Sequence, residues 1–184
     1  VVAGVLAGNI LAGAGLNQAK LLNLAAQVEG HPDNVARALF GGLVICAKDD
    51  QGVVSMPLPV PPNLKMVLAV PSFTLDTARS RQVLPQWVEL RDATFNVARA
   101  SLLVAALCTG QLECLRAAMH DRLHQPYRSR LVPGMAEVSQ AALKAGAIGT
   151  ALAGSGPTML ALATDTADTA AIGCAMAAAF ATAG

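Results

Sequence analysis

No stretch of this sequence reaches the ~20 apolar residues that a membrane-spanning helix needs. The nearest are VVAGVLAGNILAGAGL at the start and AAIGCAMAAAFATAG at the end. Both are rich in Ala and Gly rather than Leu, and the first carries Asn9. Both read as buried helices. The first also lacks the basic flank of a secretory signal. Charge is sparse, at 14% of residues, and nearly balanced, with a net value of +1. A chain so neutral has no electrostatic footprint for nucleic acid or for an acidic membrane surface. The four cysteines never fall at CxxC spacing or beside a histidine. They read as small buried thiols of a reducing compartment. No internal repeat or low-complexity linker is present, and no HExxH pattern accompanies His120 and His124.

What remains is core. Hydrophobic residues make up 54% of the 184 positions, enough for one ordinary domain or two small lobes. Val2 to Leu11 reads as helix. Asn17 caps a second helix through Val28, with Leu21, Leu24, Ala25 and Val28 at helical spacing. A short helix is expected from about Asn34 to Phe40, closed by Gly41-Gly42. LVICAK and GVVSMPLPV read as strands around a turn at Asp49 to Gly52. Pro61-Pro62-Asn63 is the expected lobe boundary, dividing residues 1–62 from 63–184. Beyond it come a strand in KMVLAVP and a helix from Thr77 to Val83. A long helix with Val88, Phe95, Leu102 and Ala106 on one face follows, then a helix from Leu112 to about Leu123. QPYRSRLVPG reads as a loop. Met135 to Lys144 is expected to be helical. Two strands around a Gly-rich turn and a helix from near Asp168 complete the chain. Strands and helices mix without strict alternation, which favours an α+β fold.

Three constellations carry chemistry. VEGHPDNVARALFGG gathers Glu29, His31, Asp33 and Asn34 within six residues. On composition alone it fits a helix-to-helix joint as well as it fits a site. A joint needs one capping residue, however, not four polar ones. Glu29 also closes a helix, where the dipole disfavours a carboxylate. A nearby cation would account for it, and hard oxygen ligands suit Mg²⁺. The helix that follows would offer its N-terminal N–H groups to an anion. In ALAGSGPTMLAL, Gly154, Ser155 and Gly156 form either a tight turn or a backbone nest near phosphate. Arg81 and Arg128 each precede a proline-terminated turn, and paired guanidinium forks suit a carboxylate.

Taken in order, EGHPDNVARALFGG, TARSRQVLP, FNVARASLLVAAL, MHDRLHQPYRSRLVPG and TALAGSGPT resemble the homoserine kinases of the GHMP small-molecule kinase superfamily. The first and fourth are specific to that group; the last is shared across the superfamily. The resemblance implies a two-lobe α+β architecture, with part of an N-terminal lobe and a ferredoxin-like C-terminal lobe. It implies ATP-dependent phosphorylation of L-homoserine, with ATP and Mg²⁺ as cofactors, in the cytoplasm or, in a photosynthetic eukaryote, the plastid stroma. A homodimer is the candidate assembly. Glu29 matches the magnesium-associated glutamate. His31 and Asn34 match residues of the homoserine site, with Asn34 near the reacting hydroxyl. Asp33 matches a position where related kinases keep a base, in a group thought to manage without one. Arg81 and Arg128 match the arginines that hold the amino acid, and Gly154, Ser155 and Gly156 the motif that supports the phosphate loop. Arg37 departs from the usual proline. The main ATP loop, P-x-x-x-G-L-G-S-S-A, is absent from these residues, and the chain reads as the latter two-thirds of such an enzyme. The near alternative is a GHMP kinase for mevalonate or a diphosphocytidyl sugar alcohol, against which the two arginines favour an amino acid. The distant one is a non-catalytic binding module.

Overall fold

Glycines and asparagines punctuate the first part of the chain, and they set its elements. In the computed structural model, which describes residues 1–183, two compact units are separated after Val60. The first holds helices α1 (Val2–Leu11), α2 (Gln18–Glu29) and α3 (Asp33–Phe40), and strands β1 (Leu43–Asp49) and β2 (Gly52–Leu58). Asn17 caps α2 as expected, accepting the Lys20 N–H at 3.0 Å. The buried face of α2 differs from the expected one. Leu21, Leu22, Ala25 and Ala26 are inside, whereas Leu24 and Val28 are exposed. The helix packs against α3 and the hairpin, and this rotates the apolar stripe by about one residue. Leu22, Ala25, Val35 and Ala36 meet Val44, Cys46 and Val53 of the antiparallel β1–β2 pair. Asp49 Oδ1 ties the hairpin turn by accepting the N–H groups of Gln51 and Gly52. Asn23 of α2 accepts the Val53 N–H at 2.8 Å and fixes helix to hairpin.

The second unit has β3 (Leu64–Ala69), α4 (Thr77–Gln82), α5 (Leu90–Thr109), α6 (Leu115–Ala118), α7 (Gln125–Arg128), α8 (Met135–Lys144), β4 (Gly149–Leu152), β5 (Met159–Thr164) and α9 (Thr169–Ala183). The strands form one antiparallel sheet in the order β3-β5-β4. Strand alternation sorts the sheet's two faces. Met159, Ala161 and Ala163 meet Val138 and Ala142 of α8 and Ile172 and Met176 of α9. Leu64 and Leu162 point the other way, toward Ala106, Leu112 and Leu115. The buried alanines of β5 have no bulk, so helices lie close on the sheet.

Four expectations change here. The long helix starts at Leu90, which leaves Val88 outside it. The helix expected from Leu112 to Leu123 is a 3-10 turn followed by the single turn α6. It cannot continue, because Asp121 takes up the N–H groups of Leu123, His124 and Gln125 and opens α7 instead. The segment read as a loop thereby contains a helical turn, with Pro126 in its first positions, where proline is tolerated. The cysteines are not buried as expected. Cys108 and Cys174 are exposed, and Cys46 and Cys114 half-buried.

Gly134 tests this packing. It has φ +77°, and a Cβ there would run into the side chain of Ala183. Gly134→Ala is expected to lower stability by at least about 1 kcal/mol. Gly4→Ala, in open space on α1, is expected to raise it by up to about 1 kcal/mol. Chemical denaturation of both variants checks the contrast.

Candidate functional site

The polar knot of the first unit is a tight joint between two helices. Glu29 is the last residue of α2 and is exposed. Gly30 then takes a left-handed conformation, φ 88°, and its N–H closes on the Ala26 carbonyl. The next helix opens one residue before the expected Asn34. Pro32 stands at its N-cap without a side-chain bond, and Asp33 Oδ1 accepts the Asn34 N–H at 2.9 Å. Asn34 is thus not the cap. Its residue lies exposed in the first turn. His31 Nδ1 sits 2.6 Å from Asp33 Oδ1. The pair is a charge contact without hydrogen-bond alignment, and the nitrogen is otherwise buried and unpartnered. Partial burial would raise the Asp33 carboxyl, but the Asn34 N–H and the charge of His31 outweigh it and hold Asp33 below its ordinary value. Arg37 is exposed in the last turn of α3, where a cation suits the dipole.

Among the described residues no three His, Cys, Asp or Glu side chains converge to cage a metal. A lone exposed carboxylate such as Glu29 instead fits the way Mg²⁺ is usually held, by one or two carboxylates together with phosphate oxygens.

In the second unit three separate motifs meet. Ser80, on α4 beside Arg81, is fully buried, and its hydroxyl donates to the Ser155 carbonyl at 2.8 Å. Thr77 Oγ1 lies 3.5 Å from Ser155 Oγ. Arg128, on α7, donates from Nε to the Ser80 carbonyl at 3.3 Å and from Nη1 to the Gly154 carbonyl at 3.2 Å. The loop itself closes through Ala153 N–H to the Thr158 carbonyl and Gly156 N–H to the Ala153 carbonyl. Gly154 and Gly156 have φ 63° and 88°, which side chains disfavour. Burial pushes the Arg128 guanidinium down; Asp121 partly offsets this, and the positive charge of Arg81 adds to it. Neither arginine is ion-paired among the described residues. Two guanidinium groups that feel each other's charge, neither of them ion-paired, form an anion-seeking arrangement.

Sequence reasoning missed the supports. Ser80 is hidden between two arginines in TARSRQ, with nothing local to mark it as buried. Asp121 also went unnoticed. It accepts from the Asn96 side chain at 2.8 Å and from three successive backbone N–H groups. An Asp shortly before a Pro-containing turn, as in DRLHQP, is the signal that could have found it. Gln125 was missed too; its Oε1 accepts the Leu152 N–H at the end of β4.

Asp121 gives the site a pH dependence. Burial raises its carboxyl. His124, whose Nδ1 is 3.8 Å away and acts through charge, the Gln125 and Leu123 N–H groups and the Asn96 amide together outweigh that. The net effect lies well below the ordinary carboxylate value. A carboxyl lowered by folding contributes stability in full above its unfolded pKa of about 3.9, and loses it as pH falls through the folded value. Asp121→Asn is therefore expected to cost about 2 kcal/mol at neutral pH. It is also expected to flatten the acid limb of stability below about pH 4. Urea unfolding between pH 2 and 7 measures both.

The chain is similar to known proteins in both sequence and fold. Residues 103–182 match the family model described as GHMP kinases C terminal. A homoserine kinase of Moorella thermoacetica is 50% identical over 161 residues, which cover 88% of this chain and 54% of that protein. A homoserine kinase of Trichormus variabilis is 46% identical over 184 residues, covering 100% of this chain and 61% of that one. Among solved structures, a homoserine kinase from Cytophaga hutchinsonii superposes with a TM-score of 0.90 at 35% identity, over 98% of this chain and 59% of the other. The chain thus spans little more than half the length of the relatives it matches. With the motifs, the fold and the relatives in agreement, the chain is a homologue of the homoserine kinases, and its residues 103–182 match the C-terminal part of the GHMP kinases.

Proposed function

We propose that the whole protein transfers the γ-phosphoryl group of ATP to the hydroxyl of L-homoserine, giving O-phospho-L-homoserine on the route to threonine. The observation that carries this reading is the pair Arg81 and Arg128: two guanidinium groups in mutual electrostatic reach, neither of them ion-paired among the described residues, with Asp121 acting on Arg128 only at a distance. Such a pair matches the carboxylate of an amino acid. A diphosphocytidyl sugar alcohol has no carboxylate to meet the pair; mevalonate has one, and against it the reading rests on the relatives. The relatives' identity to this chain points the same way.

In this reading Arg81 and Arg128 hold the substrate carboxylate, and His31 and Asn34 line the amino-acid site. Asn34 orients the reacting hydroxyl. Gly154, Ser155 and Gly156 support the nucleotide's phosphates. Glu29 faces Mg²⁺, which neutralises phosphate charge when bound. Asp33 is a minor contributor. Its carboxyl is held below its ordinary value, and a weak base near neutrality is poorly matched to taking a hydroxyl proton. Phosphoryl transfer through a loose transition state depends mainly on positioning and charge neutralisation, so a dedicated base is dispensable. The cytoplasm suits this chemistry, and no helix among the described residues is long and apolar enough to cross a membrane.

Two variants of the full-length gene product test the assignment. Arg128→Leu is expected to raise the KM for homoserine by roughly ten- to a hundredfold, the loss of about 1.5–3 kcal/mol of charge-assisted hydrogen bonding. The KM for ATP is expected to rise less, by the part that loss of the Arg128–Gly154 bond passes to the 153–158 loop. An equal rise in both constants counts against the carboxylate role. Glu29→Gln keeps shape and removes charge. Turnover is expected to fall sharply and to show a raised Mg²⁺ requirement, while the thermal midpoint holds. Full turnover at limiting Mg²⁺ would make Glu29 a helix-end residue only.

A further inference from the structure

The second unit contains a cavity of about 420 Å³ that none of the roles above uses. It opens beside β4, an edge strand of the sheet, between α6 on one side and α8 on the other. The volume falls within the range of small-molecule pockets. Its composition is divided. Met119, Met135, Leu143 and Met159 supply an apolar lining, with Met159 fully buried. Arg116 and His120, four residues apart, supply nitrogen donors at the exposed rim. Neither is ion-paired among the described residues. Two hydroxyls, Ser139 Oγ and Thr150 Oγ1, lie in the wall and bond to each other. A hydroxyl pair of this kind keeps spare hydrogen-bonding capacity.

The one acidic side chain in the wall is Asp121. Both its oxygens are already engaged, by the Asn96 amide and by the N–H groups that open α7. It therefore answers neither Arg116 nor His120. One permanent cation and one imidazole at the rim suit a single negative charge better than a phosphate. Sulfur-bearing and aliphatic side chains beneath them suit a flexible hydrocarbon tail.

We propose that this cavity binds a small monocarboxylate with an apolar tail, its carboxylate at Arg116 and His120 and its tail among Met119, Met135 and Met159. The wall shared with α7 gives such an occupant a route of influence. Gln125 lines the cavity and also accepts the Leu152 N–H. Arg128, on the same helical turn, contacts Gly154. An occupant that displaces Gln125 thus disturbs the strand that leads into the 153–158 loop.

Methionine methyl spectroscopy tests the site directly, without a kinase assay, so its result is independent of the proposed function. The chain has six methionines, and three of them line the cavity. The full-length gene product is labelled with ¹³Cε-methionine, and signals are assigned by single Met→Leu variants. It is titrated with hexanoate, hexanol and hexylammonium. Hexanoate is expected to shift Met119, Met135 and Met159 saturably, and to leave the exposed Met56 and Met66 in place. Hexanol and hexylammonium should bind at least about tenfold more weakly. Arg116→Gln with His120→Gln should weaken hexanoate by a similar factor. Both positions are exposed, and an unchanged signal from buried Met176 verifies that the variant is folded. Absent or non-saturating shifts, shifts equal for hexanol, shifts at all methionines, or undiminished binding by the double variant would each overturn the proposal.

Discussion

One carboxylate holds the functional end of the second unit in place. Asp121 accepts from the Asn96 side chain on α5 and from the N–H groups of Leu123, His124 and Gln125. The chain would otherwise run on from α6; Asp121 stops it and starts a new helical turn. That turn carries Arg128 to the carbonyls of Ser80 and Gly154. Buried backbone acceptors need partners, and a carboxylate that gathers several donors is among the stronger devices for ordering a loop. The α4 motif, the α7 motif and the glycine loop are thus joined through a chain of polar contacts that begins at one side chain.

Arg128 is both a brace and a candidate ligand, and its chemistry permits both. A guanidinium has five N–H donors in a fixed plane. Two of them are used on carbonyls here, which leaves the rest for a carboxylate. A lysine could not do the same, because its point charge has no fork to orient. The bracing also fixes where the remaining donors aim before any substrate arrives. Pre-ordering of this kind lowers the entropic cost of binding.

The fold was legible wherever the signal was local. Asn17, the Gly41-Gly42 stop, the Asp49–Gly52 turn and the two strands around the Gly-rich turn all formed as their residue types demand. Legibility failed where distant groups intervened. The face of α2 turned because α3 and the hairpin decide what is buried. The expected helix through Leu123 broke because Asp121 competes for its N–H groups. For the site, sequence brought out the residues with reactive or charged ends: Glu29, His31, Asn34, Arg81, Arg128 and the glycine turn. It could not bring out Ser80, a small hydroxyl whose importance lies in a partner 75 positions away.

The two candidate clusters differ in how they are bound to folding. In the first unit Glu29, Asp33 and Asn34 are exposed, and Asp33 meets only near neighbours in the chain, the Asn34 N–H and the charge of His31. Such groups cost little to expose to water and little to remove, so selection can tune them for chemistry with small effect on stability. In the second unit the reverse holds. Ser80 is fully buried and Arg128 half-buried, and each satisfies a carbonyl from another segment. Removing the Ser80 hydroxyl or the Arg128 Nε leaves a part-buried carbonyl without its donor, a penalty of about 1–3 kcal/mol, whereas the exposed Gly154 carbonyl can turn to water. Recognition groups built into such a network cannot vary independently of the fold. That constraint separates the two clusters: the knot can change its chemistry residue by residue, whereas Ser80 and Arg128 change together with the segments they brace.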